Sequence, residues 1–91
     1  MNQPSQGGDQ SGGWLTPHIP AAVVFWRRLR AMHQWELAEA SGLCLSEVKW
    51  LERGRKNGFR TDTLEKVCEG LRISLQELLA TAARIAKELG L

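Results

Sequence analysis

The sequence predicts an all-α domain, and three observations carry that reading. Beyond Pro20 there is no further proline, the apolar residues recur at three- and four-residue spacing in successive blocks, and no stretch alternates with period two for the length of a strand. With 91 residues, 43% of them hydrophobic, the chain has room for one small domain and excludes a large multi-layer enzyme. Four Trp and two Phe supply core bulk, though a domain this short buries only about 60% of its unfolded surface, so association would help it.

The elements are expected in this order. Residues 1–13 are rich in Gln, Gly and Ser without apolar periodicity and should form a disordered tail. Residues 14–20 carry two prolines yet also Trp14, Leu15 and Ile19, which suggests an irregular arm packed back on the domain or on a second subunit. The domain proper is expected over 21–91. Its first helix spans about 21–32, with Val23, Phe25 or Trp26, and Leu29 inward, and Arg27, Arg28 and Arg30 outward; Pro20 suits the first turn.

A second helix over about 34–41 turns Leu37 and Ala38 inward and stops at Gly42, a residue free to take the left-handed C-cap conformation. A third, about 45–53, buries Val48 and Leu51 and ends at Gly54. After the Asn57-Gly58 turn signal, Thr61 or Asp62 can cap a fourth helix bearing Leu64, Val67, Cys68 and Leu71. Ser74, with Glu77 three residues on, makes a capping box for a long fifth helix that meets no breaker until Gly90.

Charge narrows the partner. The net formal charge is only +2, but residues 49–60 hold Lys49, Arg53, Arg55, Lys56 and Arg60 against Glu52 alone. Such clustering points to a polyanion. Cys44 and Cys68 form neither a disulfide framework nor, with His18 and His33, a metal site at ligand spacing, and both read as small buried hydrophobes. No segment approaches the ~20 apolar residues of a membrane span, and the N-terminus lacks the order of a signal peptide, so no membrane partner is expected and the default compartment is the cytoplasm. No nucleophile has a base at suggestive spacing and no glycine-rich phosphate loop follows a strand, so neither an enzyme nor a cofactor is expected.

The informative stretch is 34–51. Ala38 is small where two helices approach, Gly42 supplies positive φ, and Leu37, Leu43, Val48 and Leu51 sit where a tight turn and the helix after it must anchor on a core. These positions resemble the helix-turn-helix of the lambda-repressor and Cro-like (XRE-type) family. The likeness continues through Glu52-Arg53-Gly54-Arg55-Lys56-Asn57, Asp62-Thr63-Leu64-Glu65-Lys66-Val67 and Ser74-Leu75-Gln76-Glu77-Leu78-Leu79, about 60 of 91 residues in all.

The resemblance implies a five-helix lambda-repressor-like DNA-binding domain with a long last helix. Its third helix would enter the major groove of double-stranded DNA, reading bases with Leu45, Ser46, Lys49 and Trp50. Gln34, Arg53, Arg55, Lys56 and Asn57 would hold phosphates. Leu45 stands where the family usually has a long polar residue, which leaves it a thymine methyl to meet. Glu47 must accept from a cytosine amino group or point away, and Cys44 replaces the usual hydroxyl cap. In the first helix, measured from Gln34, Trp26 occupies a usual leucine position, whereas matching the Arg27-Arg28-Leu29-Arg30 run instead would shorten the next turn by about a helical turn.

The function this implies is a sequence-specific, nucleoid-associated transcriptional regulator, with repression favoured because there is no room for a ligand or activation module. A homodimer is expected to close through Leu78, Ala82, Ile85 and Leu89 on a roughly palindromic site. The alternative is a protein-interaction module on the same scaffold, such as an antitoxin or phage-type regulator, docking a toxin or another regulator through Trp35, Trp50 and Leu45.

Overall fold

In the computed structural model, which describes residues 18–54 and 59–89, the chain is all-α, with five helices and no strand among the described residues. They are α1 (Ile19–Leu29), α2 (Gln34–Ser41), α3 (Leu45–Arg53), α4 (Thr61–Leu71) and α5 (Leu75–Glu88). The expected tail and the first residues of the arm lie outside the described part.

The core is the meeting point of one stripe from each helix. Ala22 and Val23 of α1, Leu37 and Ala38 of α2, Val48 and Leu51 of α3, Leu64, Val67, Cys68 and Leu71 of α4, and Leu78 and Ala82 of α5 are all buried. Burying each large aliphatic contributes about 1.5–3 kcal/mol, which makes this cluster the main source of stability. α1 packs on α3 and α5, and α2 packs on α3 and α4. The α2–α4 approach is so close that a Cβ at Gly70 would sit 2.3 Å from Ser41 Oγ and 3.1 Å from the Ser41 nitrogen.

The first helix differs from its expected form. It begins at Ile19, not residue 21, because Pro20 needs no N–H in the first turn, and both His18 and Ile19 are buried. The irregular arm therefore does not extend to residue 20. Trp26, not Phe25, is the inward aromatic: its Nε1 donates to Thr81 Oγ1 at 2.8 Å, tying α1 to α5, while Phe25 is 41% exposed. The helix stops at Leu29 rather than 32, and Leu29, expected inward, is 59% exposed.

Two of the three arginines expected outward are engaged. Arg27 turns in to Glu52, a pairing that desolvates its guanidinium. Arg30 donates from Nε to the carbonyl of Leu71 at 2.8 Å and from Nη2 to that of Arg72 at 3.3 Å, and it lies 5.4 Å from the Trp26 ring centroid. Those carbonyls close α4, so a cation there satisfies acceptors that the helix cannot.

Later boundaries follow the expected punctuation. Gly42 ends α2 at φ 72°, and Gly54 ends α3 at φ 98°. Ser74 Oγ accepts from Glu77 N at 3.0 Å while Glu77 Oε1 accepts from Ser74 N at 2.9 Å. The cap expected from Thr61 or Asp62 is absent: Arg60 is the N-cap residue of α4 and contributes no side-chain cap.

Two further expectations are corrected. Cys68 is buried, but Cys44 is exposed, because its place is the N-cap of α3 at the surface. The seam of Leu78, Ala82, Ile85 and Leu89 is not a free face: Leu78 and Ala82 are fully buried, Ile85 packs against the core, and Leu89 alone is well exposed. The stripe that looked like a dimer seam is, over its first half, the contact of α5 with its own domain.

Candidate nucleic-acid interface

Between α2 and α3 the chain turns in three residues. Gly42 N donates to Glu39 O at 3.3 Å and Leu43 N to Ala38 O at 3.0 Å, which closes the last turn of α2. Leu43 is half-buried against the core and holds the turn down. Cys44 then opens α3 with its N–H donating to Glu47 Oε1 at 3.1 Å; its Sγ lies 3.3 Å from the same oxygen and 3.2 Å from Ser46 Oγ. The Glu47 carboxylate is thus drawn back onto the start of its own helix, where negative charge is favourable.

The buried side of α3 carries Val48 and Leu51, so the helical period turns Leu45, Ser46, Lys49 and Trp50 the other way, and all four are exposed. Arg53 is exposed at the C-terminal end. Arg55, Lys56 and Asn57, expected on phosphates, lie outside the described residues.

Beside this face runs an open groove of about 450 Å³. Ser46, Lys49, Trp50 and Arg53 form its α3 wall, Gln34 stands at the start of α2, and Val24 and Arg28 come from α1. Under it, Arg27 donates from Nε to Glu52 Oε2 and from Nη2 to Glu52 Oε1 at 3.0 Å, and its Nη1 reaches the Met32 carbonyl at 2.8 Å. Gln34 Nε2 donates to Glu52 Oε1 at 2.9 Å. Four cations of the lining, Arg27, Arg28, Lys49 and Arg53, therefore face one carboxylate that Arg27 already neutralises. Such a groove attracts an anionic chain. The Gln34 and Trp35 N–H groups of the first turn of α2 add donors without a carbonyl partner inside the helix, whereas the Glu36 N–H donates to the His33 carbonyl at 3.1 Å.

Sequence reasoning named every α3 residue of this face, and it missed Arg28. Its signal was available: with Trp26 inward, a residue two further on points away from the core, and α1 crosses α3. Gln34 is found half-buried, its amide held by Glu52. Trp35 is 53% exposed and stacks on His33, ring centroids 6.4 Å apart, outside the groove lining. Trp50 is 52% exposed.

Among the described residues no three His, Cys, Asp or Glu are grouped to hold a metal, and no helix is long and apolar enough to cross a membrane.

A family model described as the Cro/C1-type HTH DNA-binding domain matches residues 27–84. Two crystal structures of the clp gene regulator ClgR from Corynebacterium glutamicum are similar to this chain. One has a TM-score of 0.75 at 32% identity, covering 84% of this chain and 80% of its own. The other has a TM-score of 0.68 at 35% identity, covering 76% and 88%. No curated protein matches the chain.

Proposed function

Because the chain belongs to the Cro/C1-type helix-turn-helix DNA-binding domain family, we propose that it is a transcriptional repressor that lays α3 in the major groove of double-stranded DNA. The observation that carries this reading is the continuity of α3's exposed face with the cationic groove. Base edges and flanking phosphates can be met at once. The likeness to a protein described as a clp gene regulator supports a role in gene control.

In this reading Leu45, Ser46, Lys49 and Trp50 face bases, with Lys49 suited to the O6 and N7 acceptors of guanine. Gln34, Arg53 and Arg28 grip phosphates, joined by Arg55, Lys56 and Asn57 of the basic turn. The role is non-catalytic and needs no cofactor, and it places the protein in the cytoplasm with the nucleoid.

Four base-facing side chains cover only a few base pairs, so selectivity is better served by a homodimer with half-sites about one duplex turn apart. With Leu78 and Ala82 committed to the core, the second copy would use Phe25, Leu29 and Leu89, 41%, 59% and 65% exposed, together with Ile85. Leu29→Glu then abolishes the dimer in sedimentation, and a parent that stays monomeric at tens of micromolar rejects it.

The decisive experiment selects bound duplexes from a random DNA pool at two salt concentrations, with Lys49→Ala beside the parent. A palindromic motif that Lys49→Ala relaxes is the expected result. Binding without a motif that collapses with salt rejects base reading. It would favour a second reading, docking of a protein partner such as a toxin, to which the exposure of Trp35 away from the groove lends support.

A further inference from the structure

The exposed surface of α3 is divided by the helical period into two rows. Leu45 and Lys49 lie four apart in one, and Ser46, Trp50 and Arg53 lie in the next. Leu45 opens the helix and is 39% exposed, with no part in the buried core. The face that carries the other base-facing residues therefore begins with a hydrocarbon group.

Its neighbours sharpen the point. Ser46 Oγ lies beside Cys44 Sγ, and the Glu47 carboxylate is held by the Cys44 N–H, so the polar groups of the first turn are engaged with one another. The first turn therefore offers the bases the Leu45 hydrocarbon beside the Ser46 hydroxyl, and Lys49 offers a cation one turn later.

An isobutyl group pressed on a hydrogen-bonding base edge would strip water from acceptors or donors and return no bond. The major groove presents one apolar feature that such a group can bury, the C5-methyl of a pyrimidine. We propose that Leu45 is a methyl reader: each half-site carries a 5-methylpyrimidine, thymine in unmodified DNA, against the start of α3. The inference rests on the DNA-binding reading above and adds to it the chemistry of one base position.

Deoxyuridine differs from thymidine only by that methyl and keeps every pairing group, which makes the test clean. Each thymine of the selected half-site is replaced in turn by deoxyuridine, and the parent, Leu45→Ala and Leu45→Gln are titrated with each duplex. At one position and its two-fold mate the parent is expected to bind about fourfold more weakly per lost methyl contact, while Leu45→Ala shows no difference between the two duplexes. At that position a cytosine·guanine pair is expected to gain affinity for the parent when the cytosine is 5-methylated, which separates recognition of the methyl from recognition of thymine's carbonyl. Leu45→Gln, whose amide pairs with adenine, is expected to change the preferred base there and nowhere else.

If deoxyuridine is tolerated at every position, or weakens the parent and Leu45→Ala equally, the proposal is overturned while the selected motif stands. If 5-methylation gives nothing, the methyl is not what Leu45 reads. If no motif is selected at all, the DNA-reading premise fails first and this inference falls with it.

Discussion

Arg27 of α1 and Glu52 of α3 form a bidentate ion pair beneath the cationic groove, with side chains only 14% and 7% exposed. Gln34 of α2 binds the same carboxylate. Three helices that otherwise touch through apolar stripes are thereby locked in register at the point where they present donors to a ligand. A pair this buried gains little net stability over an apolar replacement, but leaving one partner alone is costly.

Removing either charge alone should therefore destabilise the domain by about 3 kcal/mol. Arg27→Met strands the Glu52 carboxylate and Glu52→Leu strands the guanidinium. The double variant is expected to recover most of the loss in urea unfolding, and yet to bind DNA more weakly than the parent because Gln34 is no longer held. Additive losses in the double variant would show that the two groups do not act as a pair.

Gly70 sets how closely α2 and α4 approach. Alanine is a better helix former by about 1 kcal/mol, but its Cβ would meet Ser41 Oγ at 2.3 Å and Ala40 C at 3.2 Å. Overpacking of this kind costs about 1–3 kcal/mol, so Gly70→Ala is expected to lower the urea midpoint. Ser41 Oγ is buried and finds no hydrogen-bond partner among the described residues. Ser41→Ala should consequently be neutral or stabilising and should rescue part of the Gly70→Ala defect. A Gly70→Ala variant as stable as the parent would mean the helices can separate freely.

Cys68 gives the fold an alkaline limit. Burial first, and the carboxylates of Glu65 and Glu77 after it, push its thiol from 9.0 up to about 11. A pKa raised by folding means the unfolded chain loses its proton first, so the stabilisation is complete below pH 9 and is lost as pH rises towards 11. The loss amounts to about 2–3 kcal/mol. In a Cys44→Ser background, the stability difference between Cys68 and Cys68→Ala is expected to shrink over that window. A constant difference from pH 8 to 11 would refute the assignment.

What the sequence made legible, and what it hid, divides by range. Gly42, Gly54 and the Ser74–Glu77 box act on backbone within a few residues, and the boundaries they mark were foreseen. The inward sets of α2, α3 and α4 follow from period alone. Arg27 was misplaced because charge by itself says surface, and its partner lies 25 positions away in sequence. The first half of the α5 stripe, Leu78 and Ala82, was misassigned for a different reason: periodicity shows that a face is apolar without saying whether the domain or a second copy covers it. Cys44 followed its N-cap position at the surface, not the burial typical of cysteine. Pro20 fits the end of an irregular arm and the first turn of a helix equally, and the buried Ile19 decides between them.

Arg28 provides the sharpest check on the extent of the groove, because it belongs to α1, outside the helix-turn-helix itself. It lines the cationic groove with Lys49 and Arg53 and also borders a second, apolar groove between α1 and α5, lined by Phe25, Leu29 and Ile85. If it holds a phosphate, Arg28→Ala should weaken binding to all sequences alike and flatten the slope of log K against log salt by about 0.9 per protomer. Arg84, exposed and set over the Phe25 ring at 5.7 Å, is the matched control: it carries the same charge but lines neither groove. Arg84→Ala is expected to leave the slope intact. Equal flattening in both variants would mean that net charge alone sets the affinity, and an unchanged slope in Arg28→Ala would confine the phosphate contacts to α2, α3 and the basic turn.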